Sequence, residues 1–307
     1  MSQPKLSVDL FQPIRRDLDE AEAIVRPSMS YWADAWRRLK QNPAAVVGLG
    51  IIIFLVIMAI IGPFLNPWGY SDQVLADSNQ APNSEYWFGS DSLGRDLFTR
   101  VWHGARISLM IGFITSISSI VIGTIYGSIS GYLGGRVDDI MMRVVEVFYG
   151  IPFLLYVILL MLIMEPGLNT IIIALVAVYW MSTARIVRGQ VLKLKEEEFV
   201  LAARTLGGST RRIIMRHLIP NTMGPIIVMM TLTIPEAIFS EAFLSFLGLG
   251  VSVPKASWGY LASDGIKAIR SYPWQLLFPA FFISLTMLAF NLLGDGLRDA
   301  LDPRMRK

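Results

Sequence analysis

The stretch Glu198–Asn221, which reads EFVLAARTLGGSTRRIIMRHLIPN, is a polar, Arg-rich segment between long apolar runs. Its first part carries four apolar residues at helical spacing: Phe199, Ala202, Ala203 and Leu206. They predict one apolar helix face, on which the two alanines would let a partner surface come close. Gly207 and Gly208 are expected to end this helix, because glycine supplies the backbone freedom that a tight turn needs.

The second part of the stretch predicts another short helix. Ser209 is well placed as its N-cap, and Pro220 is expected to interrupt it. Its apolar side would carry Ile213, Ile214, His217 and Leu218, with Arg212 and Arg216 on another side. A small-residue helix, a turn and a basic helix together indicate a projection that docks to a partner.

This segment resembles the cytoplasmic EAA loop of the permeases of binding-protein-dependent ABC importers. The pattern of that loop is Glu-Ala-Ala, three residues, Gly, nine residues, then Ile-x-Leu-Pro. Four residues match it at the right spacing: Ala202, Ala203, Gly207 and Pro220. Three positions depart from it, with Leu201, His217 and Ile219 in place of Glu, Ile and Leu. These departures are similar to those of the oligopeptide and dipeptide branch of the family.

The resemblance extends over most of residues 31–307. Five further stretches are similar to the C-type permease subunit of oligopeptide transporters: WFGSDSLGRDLFTRV at Trp87–Val101, GARISL at Gly104–Leu109, ARIVRGQ at Ala184–Gln190, EAFLSFLGLG at Glu241–Gly250 and GDGLRDALDP at Gly294–Pro303. The resemblance implies an all-α, polytopic membrane protein with six transmembrane helices and the type I ABC importer permease fold.

Composition leads to the membrane independently. The 307 residues are 53% hydrophobic and only 17% charged, and the mean hydropathy is +0.51. A chain this apolar is atypical of soluble proteins and indicates an integral membrane protein. Apolar runs of about 20 residues, the length that spans a bilayer, occur at Val46–Leu65, Ile107–Ile129, Val144–Met164, Leu168–Ile186, Pro225–Leu249 and Leu276–Leu293.

The basic residues predict the orientation. With the N-terminus inside, 21 of the 27 Lys and Arg residues fall in inner segments and 6 in outer ones. This asymmetry favours a cytoplasmic location for both termini and for Glu198–Asn221. The organisation expected is an inner tail with an interfacial helix (1–45), a first span (46–65), an outer loop (66–106), a permease domain (107–295) that contains the coupling loop (188–222), and an inner C-terminal tail (296–307).

Three connecting regions allow specific expectations. Trp32 and Trp36, with basic residues nearby, favour a short helix lying in the membrane interface, or equally an ordinary helix end with aromatic anchors. Asp91, Arg95 and Asp96 in the outer loop would form either an ordered turn network or a solvated loop.

The second outer segment, Val251–Pro273 with the adjoining Trp274, contains three aromatic residues of interest: Trp258, Tyr260 and Trp274. Their rings favour anchoring at the membrane boundary over ligand contact.

Carboxylates within the spans are candidates for the substrate path, because charges in hydrocarbon usually face a bundle interior or a water-filled cavity. Glu236 and Glu241 are the two candidates, and they lie on different helix faces. Glu241 matches the family stretch EAFLSFLGLG, which suits an architectural role equally well. Glu146 is a weaker candidate, since it would lie near the membrane surface beside Arg143.

Catalytic chemistry has no visible parts in the sequence. There is no G-x-x-x-x-G-K-[ST] phosphate loop, so ATP hydrolysis is expected on other subunits. His103 and His217 are the only histidines and would lie on opposite sides of the membrane, which disfavours a metal site or a His-based triad. With no cysteine, thiol chemistry is excluded. No catalytic residue, metal or cofactor is expected.

Three functional classes fit a membrane protein of this length. An ion-coupled carrier would need paired intramembrane charges or an internal repeat, and a membrane enzyme would need a convergent catalytic set. The resemblance implies instead a permease subunit of an ATP-driven oligopeptide importer in a bacterial cell membrane, with dipeptides or nickel chelates as alternative substrates. Expected partners are a second permease subunit, two ATPase subunits, an outer solute-binding protein, the peptide and membrane lipid, but no nucleic acid. The coupling residues implied are Phe199, Ala202, Ala203, Leu206, Gly207, Gly208 and Pro220.

Overall fold

The computed structural model describes residues 30–251 and 256–302. In this part of the chain the regular structure is helical, apart from one isolated bridge between Ser90 and Asp96. The α-helices are α1 (Tyr31–Gln41), α2 (Pro43–Ile61), α3 (Leu97–Leu133), α4 (Gly135–Tyr149), α5 (Phe153–Ile163), α6 (Leu168–Leu194), α7 (Glu198–Thr205), α8 (Thr210–Ile213), α9 (Ile219–Phe246), α10 (Trp258–Ala268) and α11 (Trp274–Leu301). The predicted all-α class is confirmed, while residues 1–29 of the predicted inner tail and residues 303–307 lie outside the described residues.

Five described helical segments are long and apolar enough to cross a membrane: Pro43–Phe64, Leu97–Leu133, Leu168–Leu194, Thr210–Phe246 and Trp274–Leu301. The predicted span Val144–Met164 corresponds to α4 and α5, which meet at an angle of 82° and so form at most a broken span. The cause is Pro152, which lacks an N–H and disfavours helical conformation in the preceding Ile151. Counted as one broken span, this pair gives the predicted six.

Two helices reach into regions that the sequence analysis treated as loops. Helix α3 begins at Leu97 and not at Ile107, because the Asp96 carboxylate caps it by accepting a hydrogen bond from the Thr99 amide at 2.7 Å. Residues 97–106 of the predicted outer loop are therefore helical. Similarly, α10 lies within the second outer segment, where Ser257 caps it through the Tyr260 amide.

The centre of the bundle is formed by α3 and α6, which run parallel to each other. Three glycines of α3, at positions 123, 127 and 131, face successive turns of α6 between residues 180 and 191. A Cβ atom at Gly127 would overlap the carbonyl oxygen of Ala184. Small residues at every fourth position therefore let the two backbones approach closely, as in other membrane helix pairs.

The described ends of the chain lie together. Helix α2 runs antiparallel to α11, with Gly48 against Ala289. The Tyr31 hydroxyl at the start of α1 donates to the Leu301 carbonyl at the end of α11 (3.2 Å). Gly224, near the start of α9, lies beside both residues. Both described ends thus lie at the same end of the bundle as α7 and α8, here called the α7 end.

Candidate functional site: the α7–α8 projection and the adjoining groove

Helix α7 packs against the bundle mainly through Val200, with Ala203 beside it, and presents its other apolar side chains outward. Val200 is fully buried in a cluster with Val191 and Ile213. Phe199 is exposed, and 87% of Leu206 is accessible. Ala202 is also exposed and Ala203 is half-buried, so the predicted apolar face is largely open to a partner. Val200, which holds this face in place, was missed by the sequence analysis.

The two glycines after α7 serve different purposes. Gly207 adopts φ +78°, a conformation that side-chain-bearing residues rarely take. A Cβ atom on Gly208 would lie only 2.6 Å from the Ala203 carbonyl oxygen, whereas one on Gly207 would meet nothing within 4 Å. Both amides bond back to α7, Gly208 N to Ala203 O at 2.9 Å and Gly207 N to Arg204 O at 3.0 Å. The predicted turn is therefore present.

The second helix of the projection begins as predicted and continues further. Ser209 Oγ accepts from the Arg212 amide at 3.4 Å, and the predicted apolar side is buried at Ile213, Ile214 and Leu218. The predicted interruption at Pro220 is wrong: a π-helical turn, Ile214–Leu218, leads directly into α9. Pro220 thus lies at the junction between the π-helical turn and α9, where the wider turn accommodates a residue that lacks an N–H.

The projection stands on a network of polar contacts. Arg188 of α6 contacts Asp138 of α4, with Nε 2.6 Å from Oδ1, and Ser130 of α3 donates to the same oxygen at 2.5 Å. Lys195 donates to the Gly131 carbonyl at 3.2 Å. Further out, the Arg204 guanidinium of α7 lies 5.5 Å from the centre of the Tyr132 ring. Helices α3, α4 and α6 are thereby linked directly beneath α7.

An open groove of about 1050 Å³ runs beside this network. Its walls are the bend between α4 and α5, one side of α6, one side of α9 and the last turn of α11. Its polar lining residues include Tyr179, Ser182, Gln190, Glu236, Ser240 and Arg298. Glu236, one of the two predicted candidates, is in the groove, and the other polar residues were not identified from the sequence.

Glu241 lies elsewhere. Its side chain is completely buried, and Oε1 accepts hydrogen bonds from Ser245 at 2.7 Å and from Ser257 at 2.6 Å. These contacts join α9 to the start of α10 and favour the architectural alternative for this residue. Glu146 pairs at 2.9 Å with Arg143, and both side chains are exposed.

The segment before α3 forms the ordered network that was one of the two expected alternatives. The Asp91 carboxylate accepts from the Arg95 Nε at 2.6 Å and lies 3.5 Å from the Arg100 Nε. Burial raises the pKa of Asp96, although its hydrogen bonds with Thr99 act in the opposite direction.

The prediction that Trp258 anchors the chain at the membrane boundary is wrong. Its side chain is fully buried, and its Nε1 donates a hydrogen bond to the Val101 carbonyl at 2.8 Å.

A metal centre is not formed within residues 30–251 and 256–302, where no group of three or more His, Asp or Glu side chains converges. His103 is stacked on Tyr70 near the start of α3, and His217 lies in the projection. The arrangement can instead move a solute, since it combines spanning helices, an open groove and an exposed projection at one end of that groove.

These features define a multi-pass membrane transport component. The chain belongs to the family of binding-protein-dependent transport system inner membrane components, whose pattern matches residues 119–307. Residues 30–82 match the N-terminal transmembrane domain of oligopeptide transport permease C. Membership confirms the predicted ABC importer permease class and the prediction that the chain is a transport subunit and not an enzyme.

Close relatives cover nearly the whole chain. The dipeptide transport system permease protein DppC of Bacillus subtilis is 59% identical over 289 residues, which are 94% of this chain and 90% of the relative. The oligopeptide transport system permease protein OppC of the same organism is 52% identical over 299 residues, 97% of this chain and 98% of the relative. The inward-facing MetNI methionine ABC transporter is similar in fold, with a TM-score of 0.52 and 18% identity over 66% of this chain and 94% of the solved one.

Proposed function

We propose that this chain is one of two permease subunits of an ATP-driven peptide importer in a bacterial inner or plasma membrane. Its groove forms half of the translocation path, and a second permease chain, a paralogue or another copy, supplies the other half. Two ATPase subunits dock at the α7 end, which faces the cytoplasm together with both termini. A solute-binding protein delivers the peptide on the opposite side. Oligopeptides are the main substrate proposed, with dipeptides and nickel chelates as alternatives.

The observation that carries this proposal is the exposed projection on a rigid base next to an open groove. Phe199, Ala202 and Leu206 offer an apolar surface that Val200 and the turn at Gly207 hold in a fixed orientation. A partner that binds this surface differently in two states shifts the equilibrium between two groove conformations. ATP-driven closure of the ATPase pair would pull two such projections together and open the groove outward, and hydrolysis would reverse this.

The first experiment compares uptake of labelled peptides of two to five residues by cells that carry or lack this chain. A third strain carries Gly207→Val, which forces a β-branched residue into a left-handed backbone conformation. A fourth carries Gly50→Val as a matched control, since Gly50 is helical, lies outside the coupling loop, and a side chain there meets nothing within 4 Å. We expect uptake to be lost without the chain, reduced at least tenfold by Gly207→Val, and retained by Gly50→Val.

Each part of the proposal has its own contrary result. If cells that lack both this chain and any parallel peptide transporter still take up peptides normally, peptides are ruled out as the substrate. Uptake of nickel chelates would then be tested. Normal uptake in the Gly207→Val strain would rule out coupling through this turn. Membrane abundance of each variant is measured by immunoblot, so that loss of the protein is distinguished from loss of coupling.

A further inference from the structure

The Glu236 carboxylate is an unpaired charge in the groove. It is exposed there and has no ion-pair or hydrogen-bond partner among the described residues. Glu236 precedes the end of α9, Phe246, by ten residues, which is about 15 Å along a helix that rises 1.5 Å per residue. Since the hydrocarbon layer is about 30 Å thick, this depth is near its middle. A carboxylate at such a depth is tolerated when it faces a water-filled path.

Two hydroxyl groups lie at the level of Glu236 in the groove. The Tyr179 hydroxyl is 2.9 Å from Ser240 Oγ and 3.2 Å from the Glu236 carbonyl oxygen. Ser240 lies one turn after Glu236, so both side chains project from the same face of α9. Together they form a region of the groove that is rich in hydrogen-bond acceptors and carries one negative charge.

The other charged residues of the lining are at the α7 end. Arg298 and Asp302 lie in and after the last turn of α11. Gly294 of α11 packs beside Thr231 of α9, so Arg298 is level with about residue 228, roughly 12 Å from Glu236 along the helix axis. Glu236 therefore determines the local charge of the middle of the groove.

We infer that Glu236, Tyr179 and Ser240 form a subsite for a primary ammonium group of the transported peptide. An ammonium group offers three donors, which a carboxylate and two hydroxyl oxygens would accept in charge-assisted hydrogen bonds. The group belongs to the peptide N-terminus or to a lysine side chain. This inference rests on the proposed function and specifies how the path recognises its substrate.

The test compares uptake by wild type, Glu236→Gln and Glu236→Asp. Glu165→Gln is the matched control, because Glu165 is exposed in the turn between α5 and α6. The substrates are tripeptides with a free or acetylated N-terminus, each with or without one lysine. Each variant is compared with wild type for the same peptide, so that selection by the binding protein cancels. Glu236→Gln should lower uptake about tenfold, the loss of one charge-assisted hydrogen bond, for peptides that bear an ammonium group. The peptides then show which ammonium group is recognised. If it is the N-terminus, Glu236→Gln lowers uptake only of peptides with a free N-terminus; if it is the lysine, Glu236→Gln lowers uptake only of peptides that contain lysine.

A second measurement requires no binding protein. Since the chain has no cysteine, Ser240→Cys provides a single thiol beside Glu236. A cationic methanethiosulfonate reagent should label this thiol several times faster than a neutral one. Adding Glu236→Gln should remove that difference, whereas adding Glu165→Gln should leave it unchanged.

Several results would overturn the subsite. Equal labelling by both reagents with Glu236 present would show that the carboxylate does not attract cations. Equal loss of uptake for every peptide, together with failure of the second permease to co-purify with Glu236→Gln, would assign the carboxylate to the subunit interface. If wild type imports peptides normally and Glu236→Gln shows the same preference between peptides with and without an ammonium group, the subsite is refuted while the proposed function stands. If wild type imports no peptide, the proposed function fails and the peptide subsite fails with it.

Discussion

Arg188 and Asp138 join α6 to α4 immediately beneath the α7–α8 projection. The guanidinium Nε lies 2.6 Å from the carboxylate Oδ1, and a second guanidinium nitrogen bonds to Oδ2. Only 9% of the Asp138 side chain is accessible. A fork of this kind fixes orientation as well as distance. The pair therefore holds α4 and α6 in one fixed arrangement at the base of the projection.

Arg188→Leu should destabilise the transporter, because it leaves the buried Asp138 carboxylate without its cation. We expect a loss of about 1–3 kcal/mol, measured as a lower thermal unfolding midpoint of the purified transporter in detergent. Arg188→Lys should retain more stability but reduce coupling, since an ammonium group cannot form the two-pronged contact. Arg143→Leu is the control, because its pair with Glu146 is exposed and should contribute less than about 1 kcal/mol. Equal effects of the two leucine variants would refute this role.

Gly127→Ala should disrupt the contact between α3 and α6, because the added methyl group would overlap the backbone of Ala184. We expect a destabilisation of about 1–3 kcal/mol from overpacking. Gly189→Ala on α6 adds the same methyl group in open space and should be neutral or stabilising by up to about 1 kcal/mol through helix propensity. Unfolding midpoints of the two variants, measured side by side, test this. A tolerated Gly127→Ala would show that the helices can move apart at low cost.

Glu241→Ala should loosen the connection between α9 and α10. The change removes the acceptor of the Ser245 and Ser257 hydroxyls and leaves a cavity, at an expected loss of about 2–4 kcal/mol. Glu241→Gln keeps one acceptor oxygen and should cost less than about 1.5 kcal/mol. Unfolding and peptide uptake are measured on both variants. A stable Glu241→Gln that nevertheless loses uptake would return Glu241 to the substrate path.

The sequence predicted the helix class and the projection because both depend on local patterns. Apolar runs of bilayer length locate the spans, and Ser209 and Gly207 mark the start and end of helices through their own chemistry. The first ten residues of α3 were missed because Arg100, His103 and Arg106 interrupt the apolar run there. The cap at Asp96 is the signal that would have identified the helix start.

Long-range packing explains the remaining differences. Trp258 resembles a boundary anchor in sequence, but the Val101 carbonyl, far away in the chain, accepts its indole N–H in the core. The groove consists of residues from α4, α5, α6, α9 and α11, and no pattern within one helix shows which of them meet. Only Glu236 was identified beforehand, because a charge in an apolar run is visible without the tertiary structure.

Tyr86 should make the segment before α3 sensitive to alkaline pH. Burial, followed by its hydrogen bond to the Asp77 carboxylate (3.0 Å), raises the pKa of the phenol to about 12. The folded state therefore keeps the proton between about pH 10, where an ordinary tyrosine ionises, and pH 12. Above pH 10 ionisation favours the unfolded state, so the stabilisation by this contact is complete below pH 10 and is lost as the pH rises to 12.

A comparison of wild type with Tyr86→Phe tests this pH dependence. The difference in tyrosinate absorbance between the two proteins should titrate near pH 12 and not near pH 10. The unfolding midpoint of wild type should fall more steeply than that of Tyr86→Phe between these two pH values, because the variant has no proton to lose. A difference titration centred at pH 10 would mean that Tyr86 is open to solvent and that the contact with Asp77 is absent from the folded protein.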